Sequence, residues 1–114
     1  MRVFNQTRNM LVVSQGRLAD TFWRRLRGLL GVNSLKQGEG LILVGEKSIH
    51  TLFMKFSIDV LYVDKDFRVI RADDNMIPYR LGPFILQSAY VVEVPVGTIT
   101  ATATKVGDQL RFEY

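Results

Sequence analysis

The sequence has no cysteine and a single histidine, His50. Without cysteine there are no disulfides, thiolate metal sites, iron–sulfur clusters or cysteine nucleophiles. Long apolar runs are also missing. Stretches such as 41–44 and 60–63 fall far short of the ~20 residues that a membrane-crossing helix needs. Residues 1–9 alternate polar and apolar side chains and hold no apolar signal core, so a cytoplasmic location is expected. No G-x-S-x-G elbow, G-x-G-x-x-G fingerprint or phosphate-loop motif occurs. Gly38-Glu39-Gly40 lacks the strand-then-helix setting of such a loop and reads as a turn.

What is present suits one globular domain over residues 1–114. The chain is 47% hydrophobic and long enough to bury a core. Its net charge is +4, from 15 basic and 11 acidic residues. The basic side chains cluster only at Arg24, Arg25 and Arg27, without the aromatic signature of RNA-binding modules. Nucleic acid is therefore the weakest of the partner readings.

Period-2 patterning and turn residues predict a mainly β, α+β fold: a small barrel-like or strongly bent, mostly antiparallel sheet. Strands are expected at 10–14, 41–44, 48–56, 58–63, 67–72, 89–94, 98–104 and 109–113. Turns are expected at Gln15-Gly16, Asp64-Lys65-Asp66, Pro95-Val96-Gly97 and Val106-Gly107-Asp108. Between residues 20 and 30 the period changes to 3.6, which predicts the principal helix. Asp20 is its expected cap, Gly31 its stop, and Phe22 or Trp23 with Leu26 and Leu30 its core face. Gly28 inside it suggests close approach to another backbone. Residues 73–88 fit neither period. They carry Pro78, Pro83, Gly82 and seven large apolar side chains, so they are expected to lie over the sheet near His50 and Thr51 as one wall of a cleft.

The stretch from Ser48 to Val60 carries the most chemical potential. On a strand, His50, Leu52, Met54 and Phe56 share a face. Asp59 stands among apolar neighbours, where an ionised carboxylate needs partners. Glu93 is a second acid in an apolar strand. His50 and Met54, four apart on a strand, would be ~13–14 Å apart, too far to share one ion. No metal and no cofactor are expected.

"GLLG" at 28–31, "GEGLIL" at 38–43, "SIHTLFMKFSIDVLYVD" at 48–64, "VEVPVG" at 92–97 and "VGDQL" at 106–110 follow in order and spacing. Together they resemble the family called domain of unknown function 192. Ser57 departs from the proline that members often carry, and Tyr79 from their tryptophan. The resemblance implies a compact, mostly β domain of bacteria and archaea, sometimes exported, with no agreed activity. It transfers no catalytic residue.

Three functions stay open. The first is a non-catalytic module binding a small molecule or protein partner through His50, Thr51, Asp59, Arg80 and Glu93. The second is a small hydrolase or isomerase using His50 with Asp59 or Glu93, which requires those groups to converge in one pocket. The third is nucleic-acid binding through Arg24, Arg25 and Arg27. Oligomeric state is not legible.

Overall fold

The computed structural model describes residues 1–29, 32–51 and 54–114, apart from the side chains of residues 22, 26 and 27. Along these residues run β1 (Arg2–Asn5), β2 (Met10–Val13), β3 (Gln15–Ala19), α1 (Phe22–Arg27), β4 (Glu39–Val44), β5 (Ile58–Val63), β6 (Val69–Met76), β7 (Tyr90–Pro95), α2 (Thr98–Thr102) and β8 (Leu110–Glu113). The strands form two sheets, ordered β2-β1-β8 and β3-β4-β7-β5-β6. Every pairing is antiparallel except β3 with β4.

Neither sheet closes, so the barrel expectation is corrected. Closure would require the edge strands β3 and β6 to pair, and they do not. Instead the small sheet covers one face of the large one, joined to it at the Arg68–Gln109 bridge. Between them lies a core of Val3, Val13, Ile42, Leu61, Val92 and Leu110. The opposite face carries a second core, with Leu41, Leu43, Ile58, Val60, Tyr62 and Val91. The middle strands β4, β7 and β5 are therefore buried on both sides, which is why they read as unbroken apolar runs.

Strand order dictates what covers the second face. β4 and β5 both pair antiparallel with β7, so they run the same way and their connection must cross it. β6 and β7 likewise both pair with β5, and residues 77–89 connect them. The β3–β4 connection carries α1, and Leu29, Val32 and Leu35 from it join the second core. The crossovers at 45–57 and 77–89 lie side by side. The Gly82 and Ile85 amides donate to Ile49 and Lys47 carbonyls, the Thr51 amide to Arg80, and the Tyr79 amide to Thr51. Of the strand expected at 48–56, the described residues 48–51 and 54–56 form no regular strand; His50 makes a single bridge, to Leu81.

Other expectations change for local reasons. Gln15 and Gly16 form part of β3, where the Gly16 amide donates to the Met1 carbonyl at 2.8 Å. The principal helix is shorter than predicted and capped by Thr21, whose hydroxyl accepts from the Arg24 amide. Gly28 ends it at φ 49°, a backbone position favouring glycine; a Cβ there would meet ordinary contacts. Trp23 is 74% exposed, so it does not face the core. Phe22 and Leu26 side chains, Leu30, Gly31 and Leu52 lie outside what is described. Residues 98–102 are helical despite their threonines, because tertiary contacts override β propensity there.

Candidate functional site

The crossovers meet over a cavity of about 360 Å³. Glu93 of β7 and Leu43 of β4 form its floor. Arg25 and Leu29 come from the α1 crossover, Glu46, Ile49, His50 and Met54 from the next, and Leu81 and Gly82 from the third. A concave, mostly apolar hollow of this size with a few converging polar groups has the anatomy of a ligand site. A wider hollow of about 610 Å³ borders Lys47, Lys65 and Tyr90. There the Lys47 ammonium is already bound to the Leu86 and Ser88 carbonyls.

Glu93 is the most unusual group. It faces Leu41 on one side and Val60 on the other and is 3% exposed. No hydrogen bond or ion pair to its carboxyl is found among the described residues. Burial, reinforced by the nearby Glu46 carboxylate, pushes its pKa up to about 8, so the acid is protonated at neutral pH. Tyr62 of β5 presents its ring on the same face. Its hydroxyl is fully buried, without a hydrogen-bond partner among the described residues. Burial first, then the charge of Asp73, and more weakly Glu93 and Glu46, push its pKa up to about 12, with Arg71 opposing them. Gly82 is needed beside it. A Cβ there would stand 2.8 Å from the Tyr62 hydroxyl and 2.9 Å from the Ile49 carbonyl oxygen.

Glu46 accepts from the Lys47 and Ser48 amides. The Arg25 guanidinium donates to the Val44 carbonyl at 2.8 Å, and no carboxylate stands within ion-pair distance of it among the described residues. Arg24 instead pairs with Asp20 at 3.2 Å. The arginine cluster is thus divided, with Arg25 turned to the cavity.

Of the expected site residues, the fold brings His50 and Glu93 to this cavity. His50 sits exposed at its rim. Thr51 is fully buried behind it, donating its hydroxyl to the Ile77 carbonyl and accepting from the Arg80 amide. Asp59 stands one register step from Glu93 across the β5–β7 pair, opposite Val94, and therefore on the other face. It is fully buried, and its carboxylate accepts from the amides of Asn75, Gly97 and Ile99. Arg80 is exposed, bonded to its neighbouring Tyr79 carbonyl, and does not reach Asp59 or Glu93. The 73–88 segment lies beside His50 and Thr51, bonded to them backbone to backbone, and not over them; its first residues extend β6, and Tyr79, Leu81, Phe84 and Leu86 stay exposed. Bridging to residues 47–51 fixes its path, and with it which apolar side chains face out.

Sequence reading did not single out Glu46 or Tyr62. Glu46 had no sequence signal. Tyr62 had one: a lone hydroxyl within the unbroken apolar run of β5, where a buried tyrosine ordinarily finds a partner.

Residues 3–112 match the family model DUF192, described as an uncharacterized ACR. The chain is 32% identical to a UPF0127 protein of Thermococcus kodakarensis, over 93% of this chain and 69% of that protein. It is 30% identical to a UPF0127 protein of Thermococcus sibiricus, over 97% and 74%. A crystal structure of a protein of unknown function from Novosphingobium aromaticivorans superposes with a TM-score of 0.87 at 22% identity, covering 98% of this chain and 84% of that one. Another, from Sinorhizobium meliloti and described as a candidate transcription regulator, gives 0.80 at 20% identity, covering 96% and 89%. At these identities the two structures establish the fold alone. The family match over nearly the whole length makes this chain a member of the DUF192 family.

Proposed function

We propose that this domain is a non-catalytic binding module whose ligand enters the cavity under the three crossovers and reaches Glu93. The observation that carries the reading is Glu93 itself: a carboxyl 3% exposed, without a hydrogen-bond partner among the described residues, opening onto a hollow of ligand size. A buried polar group left this way costs stability, and a ligand that satisfies it recovers that cost. His50 and Arg25 at the walls offer donors to the outer part of the ligand. Thr51 holds the wall in place.

A second reading, acid–base catalysis by Glu93 with His50, is favoured by their shared cavity and by a carboxyl titrating near neutrality. Against it, the His50 ring makes no hydrogen bond among the described residues, so no third group orients it as a catalytic base requires. A cytoplasmic setting belongs to the same proposal and is checked by fractionating cells.

The test is a thermal-shift panel of small amines, acids, sugars, nucleotides and short peptides on wild type, Glu93→Gln and His50→Ala. A ligand at about 100 times its dissociation constant adds about 2.7 kcal/mol. The expected result is a shift that both substitutions reduce while the free protein stays folded. Shifts equal in all three proteins place the ligand elsewhere and defeat the proposal. Chemical conversion of the ligand by wild type, lost in Glu93→Gln, favours the catalytic reading.

A further inference from the structure

We infer that the cavity takes an organic ammonium group, held by Glu93 and Glu46, with its alkyl stem against Leu43, Ile49 and Met54. This rests on the binding reading above and names the ligand class.

Two carboxyls converge on one cavity. Glu93 lies on the floor and Glu46 in the neighbouring wall. Glu93 is 3% exposed and has no hydrogen-bond partner among the described residues. The nearby Glu46 carboxylate adds to the burial that raises the Glu93 pKa. The Arg25 guanidinium lines the same cavity and donates to the Val44 carbonyl.

Once Glu93 is ionised, two carboxylates outnumber the single Arg25 cation, so the cavity favours a cation over an anion. A divalent metal ion prefers six or more oxygens or imidazole and thiolate ligands, and no group of three or more acidic, histidine or cysteine side chains gathers here among the described residues. An ammonium has three N–H donors and no acceptor, which suits ionised carboxyl oxygens that only accept. Its charge also compensates ionised Glu93. The aliphatic wall beyond suits a hydrocarbon stem. A lysine side chain of a partner and a free alkylamine share this chemistry.

Binding of a cation then expels the Glu93 proton. Affinity should rise with pH up to about 8 and level off above, since an alkylamine stays protonated to about pH 10. The groups facing Glu93 are Glu46 and His50 from the crossover over β7, Arg25 from α1 and Tyr62 from β5.

The experiment titrates butylamine, butyrate and 1-butanol against methyl-labelled protein, following Leu43, Ile49 and Met54 at pH 6.5 and 8.5. Butylamine should bind best, about tenfold or more tightly at the higher pH. Glu93→Gln should abolish that pH dependence, and Glu46→Gln should weaken binding at both values. Should Glu93→Gln fail to fold, the wild-type pH dependence still decides. Tighter binding of butyrate or butanol overturns the ammonium inference while leaving the cavity a ligand site. Butylamine affinity that ignores pH and both substitutions overturns it too. If none of the three probes moves these methyls and the broad panel gives no stabilisation, the binding reading falls as well. A short peptide containing lysine, compared with its norleucine counterpart, separates the sources. Preference for the lysine peptide over butylamine identifies a protein partner; the reverse identifies a free amine.

Discussion

Two buried carboxyls in adjacent strands meet opposite fates. Asp59 is satisfied where it is buried, because three backbone amides donate to its carboxyl, two of them opening α2. It supplies from a distant strand the cap that Gly97 lacks. Asp59→Ala should therefore destabilise by about 3 kcal/mol, since the amides lose their acceptor. Urea denaturation checks this, and a midpoint unchanged within error contradicts it. Glu93 has no such donors and is neutral when buried. Its pKa is raised, so folding takes up a proton between pH 4.5 and about 8, and stability falls as pH rises through that window. Glu93→Gln keeps the shape without the titration. It should match wild type at pH 5 and exceed it at pH 8.5 by on the order of 3 kcal/mol. Equal stability of the two proteins at pH 8.5 would show that Glu93 ionises freely in the folded state.

At the scale of elements, the site depends on how two irregular crossovers hold each other. Thr51 joins them from within, accepting from one backbone group and donating to another. Thr51→Val preserves volume and removes both bonds. The expected cost is about 1–3 kcal/mol, with faster amide exchange at Tyr79 and Arg80 than in β5. Uniform exchange throughout would show that the crossover does not open separately. Gly82→Ala drives a methyl against the Tyr62 hydroxyl and the Ile49 carbonyl, one of them unyielding backbone. It should lift residues 77–88 from the sheet and lose ligand-induced stabilisation before it loses the fold. Retention of wild-type stabilisation would mean the close approach at Gly82 is not needed.

Across the whole molecule, opposed titrations shape the pH profile. Burial works against the Asp108 carboxylate, but bonds from Arg8, Asn5 and the Lys105 amide together outweigh it and hold its pKa down. That stability is complete above the ordinary aspartate value of 3.8 and is lost as pH falls through the folded one. With Glu93 eroding stability from 4.5 upward, these two groups place the maximum near pH 4–5. Denaturation between pH 3 and 9 should show it there, moved upward by Glu93→Gln, while Asp108→Asn flattens the acid side. A wild-type maximum at pH 8 would contradict both assignments. Much of this molecule was legible beforehand. The strand at 58–63 and those near 41–44 and 89–94 announced themselves because strands buried on both faces are largely apolar, and the one near 109–113 through the turn at Val106-Gly107-Asp108 before it. That residues 73–88 lie near His50 was also readable from their prolines and large apolar side chains, but they pair backbone to backbone with residues 47–51 where a layer over them was expected. What the chain could not disclose is strand order. Placing β7 between β4 and β5 makes the β4–β5 connection a crossover, separates Asp59 from Glu93 by the thickness of the sheet, and brings Glu93 to one cavity with Glu46 and Arg25. Local pattern reports which residues are buried; which of them share a cavity is decided by long-range pairing, where residues far apart in the chain become neighbours.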